Sequence, residues 1–275
     1  MPRLIRAALE RAGVEDAGRV SSGVDVVGDI AIVRLGDFSA SEKRKVARAL
    51  LEELTNVRVV MEQKGGIEGE YRLRTLRYLA GEKRTMTVHR ENGCSFRVDV
   101  AKCYFSPRLS TERLRIAGMA KPEERVLNMF AGVGPFSIPI AKLKGARVLS
   151  CELNDYAARL HSENDVLNKV EGLVDVVNSD AADLPKITKT RFDRVIMPLP
   201  SEANKFLPIA FAMAKKGATI HYYRHVLGED EEEATASLCD ELKALIPPRA
   251  KFTTRRVREV GPRWVEMIAE IRAPG

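Results

Sequence analysis

The chain has 275 residues, of which 45% are hydrophobic, and it carries a formal net charge of +7 with a pI near 9.3. No stretch is long and apolar enough to span a membrane, and the amphipathic N-terminus lacks the apolar run and cleavage site of a signal peptide. These features exclude a helical membrane protein, predict a cytoplasmic one, and weakly favour a polyanionic partner such as a nucleic acid.

Residues 1–99 predict a small α+β domain. A helix is expected over residues 4–12 and a strand in DIAIVRLG, while SASEKRKVARALLEEL shows capping serines followed by the apolar stripe of a helix. Further strands are predicted in VRVVME, RTLRYLAGE, RTMTVHRENG and CSFRVDVAKC, and Asn92-Gly93 favours a hairpin turn between the last two.

In residues 100–275 the predicted strands and helices alternate along the chain. Strands are predicted in RVLNMFA, ARVLSCEL, VDVVNSDA, RFDRVIMPLP and ATIHYYRHV, with helices between them and a hairpin in RRVREVGPRWVEMIAEIRA. This alternation indicates an α/β fold with a Rossmann-like, doubly wound and mostly parallel sheet, which binds ligands at the C-terminal ends of its strands. We expect the protein to be a monomer.

The cysteines are scattered along the chain without a C-x-x-C pair. We expect them to be small buried hydrophobes and predict no metal site. They are Cys94, Cys103, Cys151 and Cys239.

A glycine loop in VLNMFAGVGPFSIPIAK lies between the first strand of the second domain and its helix. Gly132 and Gly134 let the backbone approach a ligand closely, but the loop has no Lys-Ser/Thr pair for phosphates and no third glycine. Glu152 ends the next strand, where an acid takes ribose hydroxyls, and Asp180 follows the third strand. Loop and acids together suit S-adenosylmethionine better than NAD.

The segments YFSPRLSTERLRIAGMAKPEERVLNMFAGVGPFSIPIAK, CELNDYAARLHSEN, DRVIMPLP and IHYYRHV resemble the archaeal and eukaryotic tRNA guanosine-37 N1-methyltransferases. The resemblance extends to their wybutosine-pathway relatives, which transfer an aminocarboxypropyl group. It runs from about residue 25 to the C-terminus. It implies a class I methyltransferase domain over residues 100–275 that uses S-adenosylmethionine and acts on tRNA. It also implies that the domain of residues 1–99 binds RNA and supports the active site.

The resemblance also implies roles for individual residues. Glu112 is the expected general base for the N1 proton of guanine, and Arg72 the cation near the guanine O6, with Arg74 as the close alternative. Pro200, in the family's Leu-Pro turn, is counted with these catalytic residues. The residues expected at the cofactor are Tyr104, Phe130, Gly132, Gly134, Glu152 and Asp180.

The chain departs from the family pattern at three points. Asn128 stands where the family loop opens with Asp, which weakens the expected attraction for the cofactor's positive charges. Pro198 replaces the Asn of the family's Asn-Leu-Pro turn, which helps to hold the target base. We also expect the small N-terminal domain with which many relatives read the outer corner of tRNA to be missing.

Three functions therefore stay open, with N1 methylation of guanosine 37 in tRNA first. An aminocarboxypropyl transferase is the runner-up, although its loop usually reads Gly-Ile-Gly-His-Leu and it lacks the Leu-Pro turn. The third is a tRNA-binding paralogue with weakened catalysis, a reading that Asn128 and Pro198 favour.

The basic segments at residues 43–45 and RRVREVGPRW are either phosphate contacts or solvated faces. Trp264 and His221 are expected to be structural.

Overall fold

The computed structural model describes residues 2–15 and 23–275. The chain divides into two compact units, Met1–Thr111 and Glu112–Gly275. The predicted domain boundary after residue 99 stays a prediction, because that boundary was defined by the function of each domain as well as by its compactness.

The first unit contains a four-stranded sheet in the order β1-β2-β3-β4 and a separate hairpin of β5 and β6. Helix α2 packs on β3 and β4, and α1 packs on α2. Apolar side chains of the two helices and of the four-stranded sheet form the core. The elements are α1 (Pro2–Arg11), β1 (Asp25–Val27), β2 (Ile30–Val33), α2 (Ala40–Glu53), β3 (Val59–Glu68), β4 (Leu73–Gly81), β5 (Met86–Glu91) and β6 (Cys94–Asp99).

The start of α2 is fixed by a capping box. The Ser39 side chain accepts a hydrogen bond from the Glu42 amide at 3.2 Å, and the Glu42 carboxylate accepts one from the Ser39 amide at 2.7 Å. Val46 and Leu50 of the predicted apolar stripe are fully buried. The predicted helix is therefore confirmed, and it begins where its serines indicate.

The turn between β5 and β6 has the backbone conformation that its Asn-Gly sequence favours. Asn92 has a φ of 49° and Gly93 a φ of 71°, the left-handed values that a two-residue hairpin turn needs. The strands pair without a bulge from Met86–Asp99 to Glu91–Cys94. The predicted hairpin is confirmed.

The second unit is a seven-stranded sheet with helices packed against it. Helix α3 begins at Ser110 and so crosses the division between the units. The elements are α3 (Ser110–Met119), β7 (Arg125–Asn128), α4 (Ser137–Lys144), β8 (Arg147–Glu152), α5 (Asp155–Asn168), β9 (Val174–Asn178), α6 (Leu184–Ile187), β10 (Phe192–Met197), α7 (Ala203–Met213), β11 (Ala214–Leu227), α8 (Glu231–Leu245), β12 (Lys251–Gly261) and β13 (Trp264–Arg272).

The strand order of this sheet is β12-β13-β11-β10-β7-β8-β9. Strands β7 to β11 are parallel, whereas β13 runs antiparallel between β11 and β12. The predicted doubly wound, mostly parallel sheet is confirmed, and so is the terminal hairpin. The C-terminal ends of β7, β8, β9 and β10 meet at one edge, with the order reversing between β7 and β10. Ligands of such sheets bind at this switch point.

Candidate active site

The glycine loop follows β7 and leads into α4. Gly132 and Gly134 have φ values of 55° and 92°, which side chains rarely adopt. A Cβ at Gly134 would lie 2.6 Å from the ring of His161 and 2.8 Å from Ile138 Cδ1. The loop can therefore take this path only because position 134 carries no side chain.

Helix α5 packs against the glycine loop. The Asn164 side-chain amide donates to the Val133 carbonyl at 3.0 Å, and the fully buried His161 ring packs behind Gly134. Burial lowers the pKa of His161 to about 3, so its ring is neutral at physiological pH. The sequence analysis missed both side chains, although their spacing places them on one face of α5.

Asp165 lies beside His161 on the same helix and is also buried. Its Oδ1 is 3.5 Å from His161 Nε2, but without hydrogen-bond geometry. Burial, with the nearby charges of Glu171 and Asp175, raises the pKa of Asp165 to about 7. The carboxyl group thus changes its charge near neutral pH in the layer that supports the glycine loop.

Glu152 is the last residue of β8, and its carboxylate bonds the glycine loop to this strand. Its Oε2 accepts a hydrogen bond from the Gly132 amide at 2.6 Å, and its Oε1 accepts one from the Asn154 amide at 2.8 Å. Burial raises the pKa of Glu152, while the amides of Asn154 and Gly132 act in the opposite direction. The carboxylate is therefore held at the strand end, beside the loop, where the sequence predicts a ribose-binding acid.

Asp180 lies just beyond β9, the neighbour of β8. Its Oδ1 accepts from the Ala182 amide at 2.8 Å and so caps a short 3-10 turn. The Asn178 side chain donates to the carbonyls of Glu152 and Leu153 at 2.8 and 3.0 Å. Asn178, which the sequence analysis missed, thus holds the ends of β8 and β9 together.

Asn128 is fully buried at the end of β7. Its Nδ2 donates to Ser137 Oγ at 3.0 Å, and its Oδ1 accepts from the Phe130 amide at 3.4 Å. Ser150 donates to the same Ser137 hydroxyl at 2.8 Å. The interpretation of Asn128 as a weakened attractor for cofactor charge is therefore incomplete, because its amide bonds inside the fold and shapes the loop.

The turn after β10 carries Pro198 and Pro200. The Arg224 guanidinium donates to the carbonyls of Pro200 and Ser201 at 3.4 and 3.3 Å, and its Nε bonds Glu241 of α8 at 3.0 Å. Arg224 and Glu241 are further residues that the sequence analysis missed. Nearby, Phe130 of the glycine loop meets Phe206 of α7 edge to face at 5.0 Å.

Glu112 of α3 is buried in a polar cluster. Its Oε1 accepts from the Tyr223 hydroxyl at 2.9 Å and from Arg115 at 2.8 Å, and its Oε2 accepts from Arg115 at 2.9 Å and from Arg255. Burial and the Glu112 carboxylate raise the pKa of Tyr223. The Tyr223 ring lies 5.8 Å from that of Phe136, at the end of the glycine loop. The predicted base is thus linked to the loop through two aromatic rings.

Arg72, Arg74 and Tyr104 lie in the first unit. Arg74 is buried, and its guanidinium bonds Asp25 at 3.2 Å, Gln63 at 3.4 Å and the Phe105 carbonyl at 3.3 Å. Arg72 has a φ of 57°, and its guanidinium makes no hydrogen bond or ion pair with a described residue. Arg72 is therefore available for a ligand and Arg74 is not. Tyr104 is half-buried in the segment that precedes Phe105.

Several residues of the two basic segments pair with carboxylates of the protein, whereas Arg44 and Lys45 are exposed. Lys43 is buried against Glu62, with Nζ 2.5 Å from Oε1. Three arginines of β12 pair with nearby carboxylates. The pairs are Arg255 with Glu112, Arg256 with Glu259 at 2.6 Å, and Arg258 with Glu266 at 2.6 Å.

The described residues contain no group of three or more His, Cys, Asp or Glu side chains that could hold a metal ion. No helix within them is long and apolar enough to cross a membrane. Cys94, Cys103 and Cys151 are buried free thiols, as predicted, and Cys239 is half-buried. Burial raises the pKa of Cys151 to about 12, so this thiol beside Glu152 is unreactive.

The order of the second sheet and the position of its loop define a class of protein. Numbering β7 to β13 as strands 1 to 7 gives the order 6-7-5-4-1-2-3, with strand 7 antiparallel. This order, with a glycine loop after strand 1 and an acid at the end of strand 2, is that of the class I methyltransferases. Within that class the chain belongs to the TRM5/TYW2 methyltransferase domain family, which matches residues 87–242. Residues 5–85 match the TYW2 N-terminal domain.

Two curated relatives show how the similarity is distributed. Over 199 residues the chain is 44% identical to tRNA (guanine(37)-N(1))-methyltransferase Trm5b of Pyrococcus abyssi, which covers 72% of this chain and 58% of that protein. It therefore spans less than two thirds of that relative. The chain is 32% identical to tRNA 4-demethylwyosine(37)-methyltransferase Taw21 of Saccharolobus solfataricus, over 94% of this chain and 97% of that one.

A solved structure agrees with the fold of both units. Methanocaldococcus jannaschii Trm5 in complex with adenosine superimposes with a TM-score of 0.80 and 33% identity, covering 94% of this chain and 76% of that one.

Proposed function

We propose that this protein transfers the methyl group of S-adenosylmethionine to N1 of guanosine 37 in tRNA. The observation that carries the proposal is the glycine loop bonded to Glu152, in a chain 44% identical to Trm5b over 199 residues. The adenosine complex of the related Trm5 supports a nucleoside ligand. We also propose that the protein acts in the cytoplasm as a monomer, and light scattering of the purified chain tests the monomeric state.

The residues around the loop fit such a cofactor. Gly132 and Gly134 expose backbone at close range, and the Glu152 oxygens have lone pairs left for the two ribose hydroxyls. Asp180 uses Oδ1 for its cap, which leaves Oδ2 for the adenine edge. When bound, S-adenosylmethionine supplies an electrophilic methyl group. The protein's part is to hold the nucleoside, orient the base and exclude water.

Methylation of N1 requires a group that takes the N1 proton. Glu112 is the proposed acceptor, but both of its oxygens already accept hydrogen bonds in this structure. One contact must therefore open before a proton can be accepted. Arg255 is the contact best placed to open, because its side chain is 46% exposed whereas that of Arg115 is 28% exposed.

Arg72 is proposed to lie beside the guanine O6, where negative charge develops as the N1 proton leaves. Its guanidinium has no partner among the described residues, which supports a role toward a ligand. Tyr104, Phe130 and Pro200 are proposed to line the space for the cofactor and the target base.

Product analysis tests the function directly. A tRNA transcript with guanosine at position 37 is incubated with the protein and S-adenosylmethionine, then digested and analysed by mass spectrometry. We expect 1-methylguanosine at position 37. The runner-up activity is tested in the same way with tRNA that carries 4-demethylwyosine at position 37, the substrate named for a related aminocarboxypropyltransferase. An aminocarboxypropyl adduct on that tRNA would identify it. A protein that binds the transcript but yields no product, and shows no heat of binding with the cofactor, would be the paralogue without catalysis.

A second candidate is methylation of 4-demethylwyosine at the same position. Taw21 matches nearly the whole of this chain and nearly the whole of its own length, which Trm5b does not. Pro198 adds to this, because the amide expected to hold guanine is replaced by a residue with no side-chain polar group. The discriminating experiment offers the protein tRNA with guanosine or with 4-demethylwyosine at position 37 and compares single-turnover rates. A faster reaction with 4-demethylwyosine would favour this second function.

A further inference from the structure

Tyr222 and Tyr223 are neighbours on β11 whose hydroxyl groups bond carboxylates on opposite sides of the sheet, because successive side chains of a strand point to opposite faces. The Tyr222 hydroxyl donates to Glu241 of α8 at 2.7 Å, and the Tyr223 hydroxyl donates to Glu112 of α3 at 2.9 Å. Both rings are buried. The two phenols are therefore closely matched, but only that of Tyr223 bonds the proposed general base.

The register of the last three strands places the partners of Glu112. Tyr223 of β11 lies opposite Ile268 of β13, and Ile268 lies opposite Arg255 of β12. Side chains paired in this way lie on the same face of a sheet. Tyr223 and Arg255 therefore reach the Glu112 carboxylate from one face, while Arg115 reaches it along α3.

These donors hold the two oxygens of Glu112 differently. A carboxylate oxygen has two lone pairs. On Oε1, the Tyr223 hydroxyl at 2.9 Å and Arg115 Nη2 at 2.8 Å fill both. On Oε2, Arg115 Nε at 2.9 Å fills one and the half-exposed Arg255 fills the other. Release of Arg255 therefore frees a lone pair on Oε2, whereas Oε1 stays saturated as long as Tyr223 donates to it.

The charges around this contact are fixed near neutral pH. Two acids of β13 on the same face each accept from an arginine. The pairs are Glu270 with Arg115 and Glu266 with Arg258, both at 2.6 Å. Burial lowers the pKa of His221, on the same face of β11, so its ring is neutral. Burial and nearby carboxylates raise the pKa of Tyr223, so its hydroxyl stays protonated and can only donate.

We propose that Tyr223 is a positioning residue that directs the N1 proton of the target guanine to Oε2 of Glu112. This role rests on the proposed function, in which Glu112 is the general base. In the step, the N1–H bond breaks, an O–H bond forms at Oε2, and the electron pair left on N1 bonds the transferred methyl group. Tyr223 gives up no proton. It saturates Oε1 and so limits the carboxylate to one reactive oxygen.

The test compares Tyr223→Phe with Tyr222→Phe in single-turnover methylation of a tRNA transcript with guanosine at position 37, over a range of pH. Loss of a hydrogen bond to a carboxylate favours its protonated form. We expect the acid limb of the Tyr223→Phe profile to move up by about one pH unit. Its plateau rate should fall by about tenfold, because Oε1 then competes for the proton in the wrong place. Tyr222→Phe should keep the wild-type acid limb, since its hydroxyl bonds Glu241.

A double-mutant cycle separates positioning from a purely structural role. In the Glu112→Gln background, Tyr223→Phe should change the rate by less than about twofold, because a residue that acts through Glu112 has nothing left to position. Heats of S-adenosylmethionine binding should match the wild type in Tyr223→Phe, since the phenylalanine ring keeps the contact with Phe136.

The outcomes separate the role of Tyr223 from the proposed function. A Tyr223→Phe protein that is folded by circular dichroism and keeps the wild-type rate and acid limb would overturn the role, as would equal losses in both backgrounds of the cycle. A loss as large as that of Glu112→Gln would show that the Tyr223 hydroxyl transfers the proton itself. If the wild type yields no 1-methylguanosine, the proposed function fails and the role of Tyr223 fails with it.

Discussion

At the scale of single residues, the Glu152 carboxylate has one structural role and one proposed binding role. It accepts backbone hydrogen bonds that fix the glycine loop and is proposed to accept the ribose hydroxyls of the cofactor. We expect Glu152→Ala to weaken S-adenosylmethionine binding by about 1.5–3 kcal/mol, the scale of hydrogen bonds to a charged group. Calorimetry measures this loss. Glu171→Ala, a surface acid of the same unit, is the control, and unchanged affinity in Glu152→Ala would remove Glu152 from the site.

Glu112 gives the second prediction at this scale. Glu112→Gln should lower the single-turnover rate by roughly 10²-fold or more, the usual effect of removing a positioned acid–base group. Arg255→Met removes the exposed contact of Glu112 while keeping most of the side-chain volume, and should leave the rate equal or higher, since Oε2 is then open. A rate as low in Arg255→Met as in Glu112→Gln would show that the Arg255 contact is itself required.

At the scale of elements, the glycine loop and α5 fit each other by shape. Gly134→Ala should weaken cofactor binding and lower the free energy of unfolding by about 1–3 kcal/mol, because the new Cβ meets the His161 ring. Gly145→Ala is the matched control, since Gly145 has a φ of 67° but open space around its Cβ position. Its cost, about 1 kcal/mol, reports the backbone strain alone. Equal losses from both variants, measured by urea unfolding, would show that packing against His161 contributes nothing.

The same helix gives a prediction about pH. The folded-state pKa of Asp165 is raised to about 7 from its ordinary 3.8, so between these values the folded protein binds more protons than the unfolded one. Its contribution is therefore fully present at acid pH and is lost as the pH rises through about 7. Asp165→Asn mimics the protonated group. Compared with the wild type, its melting temperature should gain more at about pH 8 than at about pH 5. A difference that does not change with pH would contradict the raised pKa.

At the scale of the whole molecule, the count of 45 lysines and arginines overstates the number of cationic side chains available to a polyanion. Lys43 and the arginines of β12 are paired with carboxylates of the same chain. We therefore expect tRNA affinity to fall with salt, but with a slope that corresponds to far fewer contacts than the 45 lysines and arginines. Anisotropy titrations of the wild type measure it. An affinity independent of salt would exclude phosphate contacts as the main source of binding.

The sequence by itself determined most of the elements, their order and some of their ends, because these depend on local chemistry. Ser39 with Glu42 caps α2, and Asn92-Gly93 favours the tight turn that it forms. The alternation of strands and helices after residue 100 was enough to predict the parallel sheet, and the loop and Glu152 could be placed because both lie at strand ends. The short β1 and the helix α3 were not predicted, since DVV is too short to show a period and α3 lies in a stretch with a proline before it and Gly118 near its end.

Only the tertiary structure decided which side chains of the site are free and which are bound. Arg72 and Arg74 are equivalent in the sequence, yet Arg74 is buried on Asp25, which lies far from it along the chain. Likewise, the sequence predicts Glu112 but not the cluster of Tyr223, Arg115 and Arg255 that holds it. Tyr223 and Arg255 lie far from Glu112 in the sequence, and the packing of α3 against the last strands brings them to it, whereas Arg115 lies three residues along the same helix. Local sequence patterns do not indicate the contacts of Glu112 with Tyr223 and Arg255.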